Sequence, residues 1–475
     1  MNNNFFFPSR RQVLAGLVAG AGSLALASCA QTGEPLKHYD TIVIGAGLSG
    51  LYAARLLEEE GASVLVLESS IRTGGRIFTL DDVPSKPDAG GMEIGQMYAR
   101  ARSIVSDLNI ELSAFPSSPS GMAINYGAHT TTMSEWGEWQ HNPLSEPLKK
   151  IPPFALMRSA TPNPNPLAEL DSWLEKDAQK FDVPLADYLK TLGDNDITRE
   201  MINISLQGNS VDHISMLGEL RKARVGQFER SNGPSEMIVG GASRLPEAMA
   251  NNLISPIMLE KKVTHIKRKG NRSIITCADG SKYSAEYVIC TVPYTVLKDI
   301  KIEPSLPTLQ QQAINEIPYL PATVFYFTSS EPFWESDGLP PTMWTNSIIE
   351  RIFALASTDQ PVAIFWGLIN GNNALLFDKM AYAEQVQTIL NEMKRIRPAS
   401  AGKLTVHKIH SWTAYPHNKG AWAYWKPGQI KKFGAIYHDP HQSIHFAGEH
   451  TATLSAGIEG ALETGERAAF EVLGV

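Results

Sequence analysis

Three glycines near the start of the sequence are spaced two and three residues apart, between a predicted strand and a predicted helix. The β-branched run at 38–44 leads into this turn, and the helical period of 51–58 follows it. In such a unit the first glycine permits the tight turn, the second lets the backbone approach a pyrophosphate, and the third lets helix and strand pack closely. The helix N-terminus then faces the phosphates. The candidate phosphate-binding residues are Gly45, Ala46, Gly47, Leu48, Ser49 and Gly50.

An acidic residue stands where a second strand is predicted to end. The run at 62–67 is apolar and is followed by Glu68, 18 residues after Gly50. A carboxylate at this place can accept both hydroxyls of a ribose. The two features together predict a dinucleotide site, and the alternative is a structural glycine turn that binds no ligand.

The residues after Glu68 carry a resemblance to a known family. Segments 68–76 and 88–92 resemble the Glu-x-x-x-Arg-x-Gly-Gly-Arg signature and the following glycine pair of the flavin-containing amine oxidases, which include L-amino-acid and polyamine oxidases. The resemblance implies FAD, with Arg76 at its pyrophosphate and the glycines close to the flavin. The residues that it adds to the candidate site are Ser69, Gly74, Gly75, Arg76, Gly90, Gly91 and Met92.

The resemblance continues to the end of the chain. Segment 240–246 is similar to the family's inner Gly-Gly segment, and Val263 occupies the strand whose backbone holds adenine. The run at 287–293 is similar to a buried strand, in which Cys290 is expected to be a core residue. The C-terminal segments 444–451 and 457–461 match the family's last flavin segment. They add Gly448, Glu449, Gly457, Ile458 and Ala461 to the candidate cofactor site.

The resemblance implies an α/β fold with a Rossmann-like FAD-binding domain of the GR2 type and a second α+β substrate domain of mixed sheet and helices. The predicted FAD-binding domain is discontinuous and comprises residues 38–92, 236–305 and 440–475. The substrate domain is predicted at 93–235 and 306–439. Seven prolines in 143–166 exclude a regular helix or a central strand there, so this stretch is predicted to be a long loop at the cavity mouth.

An aromatic block at 410–425 is the candidate substrate wall. Trp412 and Trp422 are ten residues apart, the family's spacing for two aromatic residues beside the flavin. The resemblance implies that Trp422 stands over the flavin ring as one wall of an aromatic cage. Gly457 takes the second cage position and leaves that wall open for a bulky amine. Ala421 stands where some members carry a flavin-linked cysteine, so FAD is predicted to be non-covalent.

Two positions depart from the family pattern. Glu93 stands where the amino-acid oxidases place an arginine that clamps the substrate carboxylate, which favours a cationic amine over an amino acid. The alternative is an ordinary surface acid. With one gap in the alignment, Thr323 stands where the family places a lysine near flavin N5. The missing cation predicts slow reaction with oxygen, and an electron-acceptor protein or a quinone as the alternative to oxygen.

The resemblance implies that the enzyme removes a hydride from the carbon that bears the amine nitrogen, onto flavin N5, and that the resulting imine hydrolyses to a carbonyl compound. Three alternatives remain: an L-amino-acid oxidase, a desaturase or porphyrinogen-type oxidase on the same fold, and a non-catalytic lipoprotein that keeps FAD as a folding core. No metal site is predicted, because His407 and His410 lie on a predicted strand.

The first 28 residues are predicted to be an export signal. They contain Arg10 and Arg11, no acidic residue, and an uncharged run that is too short for a lasting membrane helix. The pair resembles a twin-arginine signal, and residues 26–29 resemble a lipobox in which Cys29 takes a lipid. Residues 29–37 would be a tether, and the protein would be periplasmic or membrane-anchored. The alternative is an ordinary cleavage with Cys29 unmodified.

Composition excludes several other classes of protein. Hydrophobic residues make up 43% and charged residues 19% of the 475 residues, which rules out disorder as the main state. The formal net charge of −7 argues against nucleic-acid binding. Three cysteines are too few for a disulfide framework. The oligomeric state is left open.

Overall fold

The strands of the protein are short and often apolar, as expected for strands that are covered on both faces. The structure is a computed structural model and describes residues 36–115, 121–229, 232–355 and 364–475. Its strands are β1 (His38–Ile44), β2 (Val64–Leu67), β3 (Phe78–Thr79), β4 (Asp88–Gly90), β5 (Leu112–Ala114), β6 (Ala123–Tyr126), β7 (His129–Thr132), β8 (Glu236–Ile238), β9 (Ile257–Met258), β10 (Val263–Lys269), β11 (Arg272–Cys277), β12 (Lys282–Cys290), β13 (Lys301–Glu303), β14 (Ala322–Ser329), β15 (Met343–Thr345), β16 (Arg351–Leu355), β17 (Ile364–Asn370), β18 (Leu404–Ser411) and β19 (Ile444–Phe446).

The longer helices carry an apolar stripe that faces a sheet or another helix. The helices are α1 (Leu48–Glu59), α2 (Ala99–Asp107), α3 (Leu156–Ala160), α4 (Leu185–Thr191), α5 (Asp196–Ser205), α6 (Met216–Glu229), α7 (Arg244–Asn252), α8 (Tyr294–Leu297), α9 (Thr308–Glu316), α10 (Phe333–Asp337), α11 (Gly371–Phe377), α12 (Tyr382–Ile396), α13 (Gln429–Phe433) and α14 (Gly457–Leu473).

One sheet collects strands from both ends and the middle of the chain. Its order is β13-β10-β11-β12-β1-β2-β9, and β19 also pairs with β12. β1 runs parallel to β2 and to β12, and β12 runs parallel to β19. The carboxyl ends of these parallel strands therefore meet at one edge, where α/β folds bind nucleotides. The Rossmann-like α/β prediction is confirmed.

A second sheet is built from the two regions between those segments. Its order is β18-β14-β17-β16-β15-β6-β7. The pairs are antiparallel except for β6 and β15, which run parallel. The sheet is mixed, as the fold prediction stated. The domain boundaries themselves stay a prediction, since residues 37–475 form one compact unit by their contacts.

Helices α1 and α14 cover the same face of the first sheet and join the two ends of the chain. Val43 of β1, Leu51 of α1 and Leu462 of α14 belong to one buried apolar cluster. The Ser49 and Thr464 hydroxyls lie 3.2 Å apart where the helices cross. The N-terminal turn and the C-terminal segment are thereby held together.

The proline-rich stretch at 143–166 differs from its prediction. It contains 3₁₀ turns at Leu148–Lys150 and Pro153–Ala155 and the short helix α3, whose five residues include no proline. The prolines limit helix length but do not prevent a turn of helix between them. Within the described part of the chain, no residue of this stretch lines the main cavity, so the predicted mouth is also wrong.

The predicted export signal at 1–28, including Arg10 and Arg11, lies outside the described residues. Cys29 and the tether up to residue 35 also lie outside them. In the part of the chain that the structure describes, no helix is long and apolar enough to cross a bilayer.

Candidate active site

A cavity of about 890 Å³ lies between the two sheets, and most of the predicted site residues line it. At one end, the nucleotide end, the walls are the β1–α1 turn, Glu68 and Val263. At the other, the substrate end, they include side chains of β14 and β17 and the aromatic block. The predicted residues that line the cavity are Gly45, Gly47, Leu48, Ser49, Glu68, Ser69, Gly74, Gly75, Arg76, Gly90, Gly91, Met92, Glu93, Val263, Trp412, Trp422, Gly448, Glu449, Gly457, Ile458 and Ala461.

The glycine turn forms the geometry that a pyrophosphate requires. Gly45 has φ +108°, a conformation that favours glycine. A Cβ on Gly50 would lie 2.0 Å from the Gly45 carbonyl oxygen, whereas a Cβ on Gly47 would meet no protein atom within 4 Å. The third glycine is therefore required for packing and does not line the cavity. The second leaves backbone open to the cavity at the start of α1, so the turn fits a phosphate ligand.

Glu68 is buried and oriented by backbone donors. Its Oε2 accepts from the Ala46 backbone N–H at 2.7 Å, and its Oε1 accepts from the Ser70 N–H at 2.7 Å. The Ser69 hydroxyl donates to Oε1 at 3.3 Å and lies 2.9 Å from His417 Nδ1. Ala46 does not line the cavity itself, but its backbone N–H positions the Glu68 carboxylate. A fixed acid at the end of β2 fits the ribose contact that the sequence predicts.

Arg76 connects three separate parts of the chain. Its Nη1 donates to the Ala421 carbonyl oxygen at 2.7 Å and to Glu449 Oε2 at 3.0 Å. The predicted pyrophosphate contact of Arg76 stays a prediction. Sequence reasoning did not assign Arg72 a role, but its guanidinium donates to the carbonyl oxygens of Thr73, Gly75 and Ile77 and so fixes the turn.

The C-terminal segment completes the middle of the cavity. β19 ends at Phe446, and two residues later the Gly448 backbone N–H donates to the Thr464 hydroxyl at 2.9 Å. α14 then begins at Gly457, where a Cβ would meet no atom within 4 Å. This open position agrees with the predicted open wall. His450 lies nearby and is buried, and burial holds the pKa of its ring well below the usual value, so the ring is neutral.

Aromatic side chains form much of the substrate end. Trp412 is buried and donates from Nε1 to the Ala89 carbonyl oxygen at 3.0 Å, which places its ring beside Gly90. Trp422 is partly exposed and points its Nε1 toward the Gln207 carbonyl oxygen at 3.4 Å. Ala421 also lines the cavity, and none of the described cavity residues is a cysteine. Cys290 is buried, and burial raises the pKa of its thiol to about 12, as expected for an inert core residue.

The structure corrects the assignment of Thr323. This side chain is fully buried and donates its hydroxyl hydrogen to Asp378 Oδ1 at 2.6 Å, and it does not line the cavity. Successive side chains on a strand point to opposite faces, and it is Ala322 and Val324 that face the cavity. Thr323 therefore does not face the cavity as the sequence predicted. The strand still presents only apolar side chains to the cavity.

Glu93 lies at the exposed rim of the cavity next to a second acid that sequence reasoning missed. Burial raises the pKa of the Tyr98 hydroxyl, and the nearby carboxylates of Glu229 and Glu93 raise it further. Tyr98, Glu93 and Glu229 all line the cavity. The rim is therefore acidic, which fits a cationic substrate better than a carboxylate.

Sequence reasoning also missed the α6 wall and the β17 side chains Trp366 and Leu368. The alternating cavity positions on β17 could have been expected from its strand period. The α6 residues that line the cavity do not form a recognisably apolar face; they are Gly218, Glu219, Arg221, Lys222, Val225, Gly226 and Glu229. No metal-binding group of three or more His, Cys, Asp or Glu side chains occurs among the described residues.

The comparisons with known proteins agree with this geometry. Residues 48–473 match the family model described as flavin containing amine oxidoreductase. The chain is 27% identical to YobN of Bacillus subtilis (strain 168), which is named provisionally as an L-amino-acid oxidase, over 92% of this chain and 94% of that protein. It is 26% identical to the flavin-containing amine oxidase B of Canis lupus familiaris, over 91% and 86%. The solved cyclohexylamine oxidase of Brevibacterium oxydans IH-35A superposes with a TM-score of 0.77 at 22% identity, over 93% and 99%.

Proposed function

We propose, because this chain belongs to the flavin-containing amine oxidoreductase family, that its cavity oxidises an amine that carries no carboxylate group. The protein is an FAD-dependent oxidoreductase that acts on CH–NH or CH–NH₂ donors. The observation that carries the narrower substrate class is the pair of carboxylates, Glu93 and Glu229, at the rim beside Tyr98. An acidic rim attracts a cationic amine and repels the carboxylate of an amino acid.

The cavity fits FAD held without a covalent bond. The open backbone at Gly47 would hold the pyrophosphate, Glu68 the ribose and Val263 the adenine, with the glycines at 90 and 91 beside the ring. Ala421, which lines the cavity, offers no nucleophile for a thioether. When bound, FAD would accept a hydride from the substrate carbon that bears nitrogen.

The protein's own side chains position the amine and exclude water. Trp422, Trp366 and Leu368 all line the cavity and give it apolar surface, which favours the neutral form of an amine. The open position at Gly457 leaves room for a branched or ring-bearing amine. The imine that leaves this site hydrolyses in water to a carbonyl compound and ammonia or a smaller amine.

The electron acceptor is a separate part of the proposal. Oxygen is consistent with the family, and a quinone or a haem protein is the alternative. The support for the alternative is that β14 faces the cavity with Ala322 and Val324 and presents no cation there. Admitting air to the reduced enzyme tests this: slow return of the flavin band would support another acceptor, and fast return would establish an oxidase.

The proposed location is outside the cytoplasm, on a membrane surface or in the periplasm. Its support is the twin-arginine and lipobox resemblance at 1–29, and Cys29 is the proposed lipid attachment site. Mass spectrometry of the mature N-terminus decides this. A lipid on Cys29 would support the anchor, and an unmodified cut elsewhere would remove it.

The first experiment is anaerobic mixing of the FAD-loaded protein with primary, secondary and polyamines and with amino acids, while the visible flavin band is followed. We expect amines to bleach the band and amino acids to fail. Glu93→Gln should weaken the reaction with amines several-fold, because the rim loses one negative charge, and Glu93→Arg should weaken it further. Glu111→Gln, which removes an exposed carboxylate that does not line the cavity, is the matched control.

Bleaching by amino acids and not by amines would favour the L-amino-acid oxidase named among the relatives. Equal reaction of the wild type, Glu93→Gln and Glu93→Arg with amines would show that the rim acid does not select the substrate. The enzyme class would stand in either case, since it depends on the family and on flavin reduction by a C–N donor.

A further inference from the structure

Helix α6 forms one wall of the cavity and carries charged side chains on its cavity face. Gly218 lies at the buried start of this face, where an added Cβ would lie 3.7 Å from the Trp425 side chain. Glu229 lies at the other end, next to the exposed Phe228. At about 1.5 Å per residue, the distance from Glu219 to Glu229 along the helix is about 15 Å. The wall therefore runs from the aromatic substrate end out to the acidic rim.

An ion pair lies near the inner end of this wall. The Glu219 side chain is only 8% exposed, and its Oε1 contacts the Lys222 ammonium one helical turn later. Among the described residues, no donor makes a hydrogen bond of regular geometry to Oε1. The negative charge of Glu219 is therefore balanced by the Lys222 ammonium. Lys222 is 29% exposed and, like Glu219, lines the cavity.

Helix stability does not account for a pair in this place. The exposed Lys190–Asp187 pair has the same three-residue spacing, and pairs of that kind stabilise a helix only weakly. A buried carboxylate instead costs free energy unless a cation stays beside it. The Lys222 ammonium is thus fixed at the cavity wall by the carboxylate that it neutralises.

Arg221, the neighbouring cation on this helix, also lines the cavity but is bound to other groups. Its Nη2 donates to the carbonyl oxygens of Ala452 and Ser455, each at 2.9 Å, and its guanidinium lies over the Trp173 ring. Lys222 is therefore the α6 cation that pairs with a carboxylate of the cavity wall.

We propose that the Glu219–Lys222 pair determines how many positive charges a substrate can carry. The Lys222 ammonium pairs with Glu219 and so takes the place that a second ammonium group of a substrate would otherwise occupy. Amines with one cationic centre then reach the aromatic end, whereas a diamine meets an ammonium group in place of a free carboxylate. This inference rests on the proposed amine oxidation and names the substrate class of that same cavity as monoamines.

The test compares linear monoamines of four to eight carbons with the α,ω-diamines of the same length. The readout is the second-order rate constant for anaerobic flavin reduction, expressed as the ratio of diamine to monoamine. Lys222→Met frees the carboxylate and should raise this ratio at least tenfold. Glu219→Gln leaves an uncompensated ammonium and should lower it several-fold.

Two further variants complete the design. The double variant Lys222→Met with Glu219→Gln is neutral again and should return the ratio to within threefold of the wild type. Lys190→Met removes the exposed pair of the same spacing and should leave the ratio unchanged. If Lys222→Met does not hold FAD, Glu219→Gln decides alone, because it leaves no buried carboxylate.

The outcomes separate this inference from the proposed function. If monoamines reduce the wild-type flavin but neither single variant moves the ratio by more than threefold, the inference is overturned and the proposed function stands. If no amine reduces the wild-type flavin, the proposed function itself has failed. A wild type that prefers diamines would also overturn the inference.

Discussion

The nucleotide end and the substrate end of the cavity are built in different ways. At the nucleotide end, backbone groups from a short stretch of chain set the geometry: the Ala46 and Ser70 N–H groups fix Glu68, and Gly50 packs on Gly45. At the substrate end, side chains from α6, β14, β17 and the aromatic block meet across large sequence separations. The first end depends on having no side chain at certain positions, and the second depends on which side chains are present.

The largest effect is expected where a side chain is added to the nucleotide end. In Gly50→Val, the new Cβ would lie 2.0 Å from the Gly45 carbonyl oxygen, and neither backbone segment can move away easily. Overpacking costs about 1–3 kcal/mol or more, so we expect at least a tenfold loss of bound FAD, measured by the flavin absorbance per protein. Gly137→Ala, whose new Cβ would have ordinary contacts of 3.6 Å, is the control. Normal FAD content in Gly50→Val would refute the packing role.

The next effect is expected from removing the charge that organises the turn. The two carboxylate oxygens of Glu68 each accept a backbone N–H group, and Glu68→Gln replaces one of these oxygens with an NH₂ group that cannot accept. This change should weaken FAD binding by about 2 kcal/mol, or about 30-fold in Kd. Titration of the apoprotein with FAD measures this. Glu58→Gln is matched, because Glu58 also accepts backbone N–H groups, from Ile254 and Ser255, but away from the cavity. Equal losses of affinity in both variants would mean that the Glu68 effect is general destabilisation.

At the substrate end, truncation should change rate more than cofactor affinity. Trp422→Ala opens the aromatic wall and should slow flavin reduction by the preferred amine about tenfold, or about 1.4 kcal/mol, while FAD affinity stays within threefold. Rapid-mixing absorbance and FAD titration give the two numbers. Trp334→Ala, which removes a ring packed on Phe333 and Phe365 outside the cavity, should lower stability and leave the rate unchanged. If Trp422→Ala lowered FAD affinity and left the rate of flavin reduction normal, Trp422 would belong to the nucleotide end rather than to the substrate end.

The smallest effect concerns His410, which packs edge-on against Trp412 at 4.5 Å between ring centroids. Burial, and then the nearby Arg72 charge, lower the pKa of His410 to about 4 from its ordinary 6.5. Between those pH values the unfolded chain binds a proton that the folded protein excludes. The contribution to stability is therefore complete above pH 6.5 and is lost as pH falls toward 4.

His410→Phe keeps a ring in this place and removes the titration. The free energy of unfolding of the variant, measured by denaturant titration, should fall less steeply between pH 6.5 and 4 than that of the wild type. Identical pH dependence in the two proteins would assign the loss of stability to other groups.

The sequence predicted the nucleotide end closely because its signal is local. The predicted strand at 38–44 and the helix around 51–58 are present, and the helix begins three residues earlier than its apolar period, at Leu48. Thr323 shows the limit of the same reasoning. A strand reverses its facing at every residue, so an error of one position in an alignment moves a side chain from the cavity to the opposite face.

The substrate end was predicted only in part. Trp412, Trp422 and Gly457 line the cavity as expected, but Glu219, Lys222 and Glu229 were not proposed. A helix that packs on the core with one face and lines a polar cavity with another has no simple apolar stripe. Its charged residues therefore look like those of a solvent-exposed helix.

The sequence by itself determined the fold class, the phosphate-binding turn and the carboxylate at the end of β2. Each of these depends on backbone conformation and on residues close together in the chain. Only the tertiary structure decided which faces of α6, β14 and β17 reach the cavity, and which carboxylates stand beside Glu93. Those relations depend on how distant segments pack, and sequence spacing carries no information about distances between segments that the fold brings together.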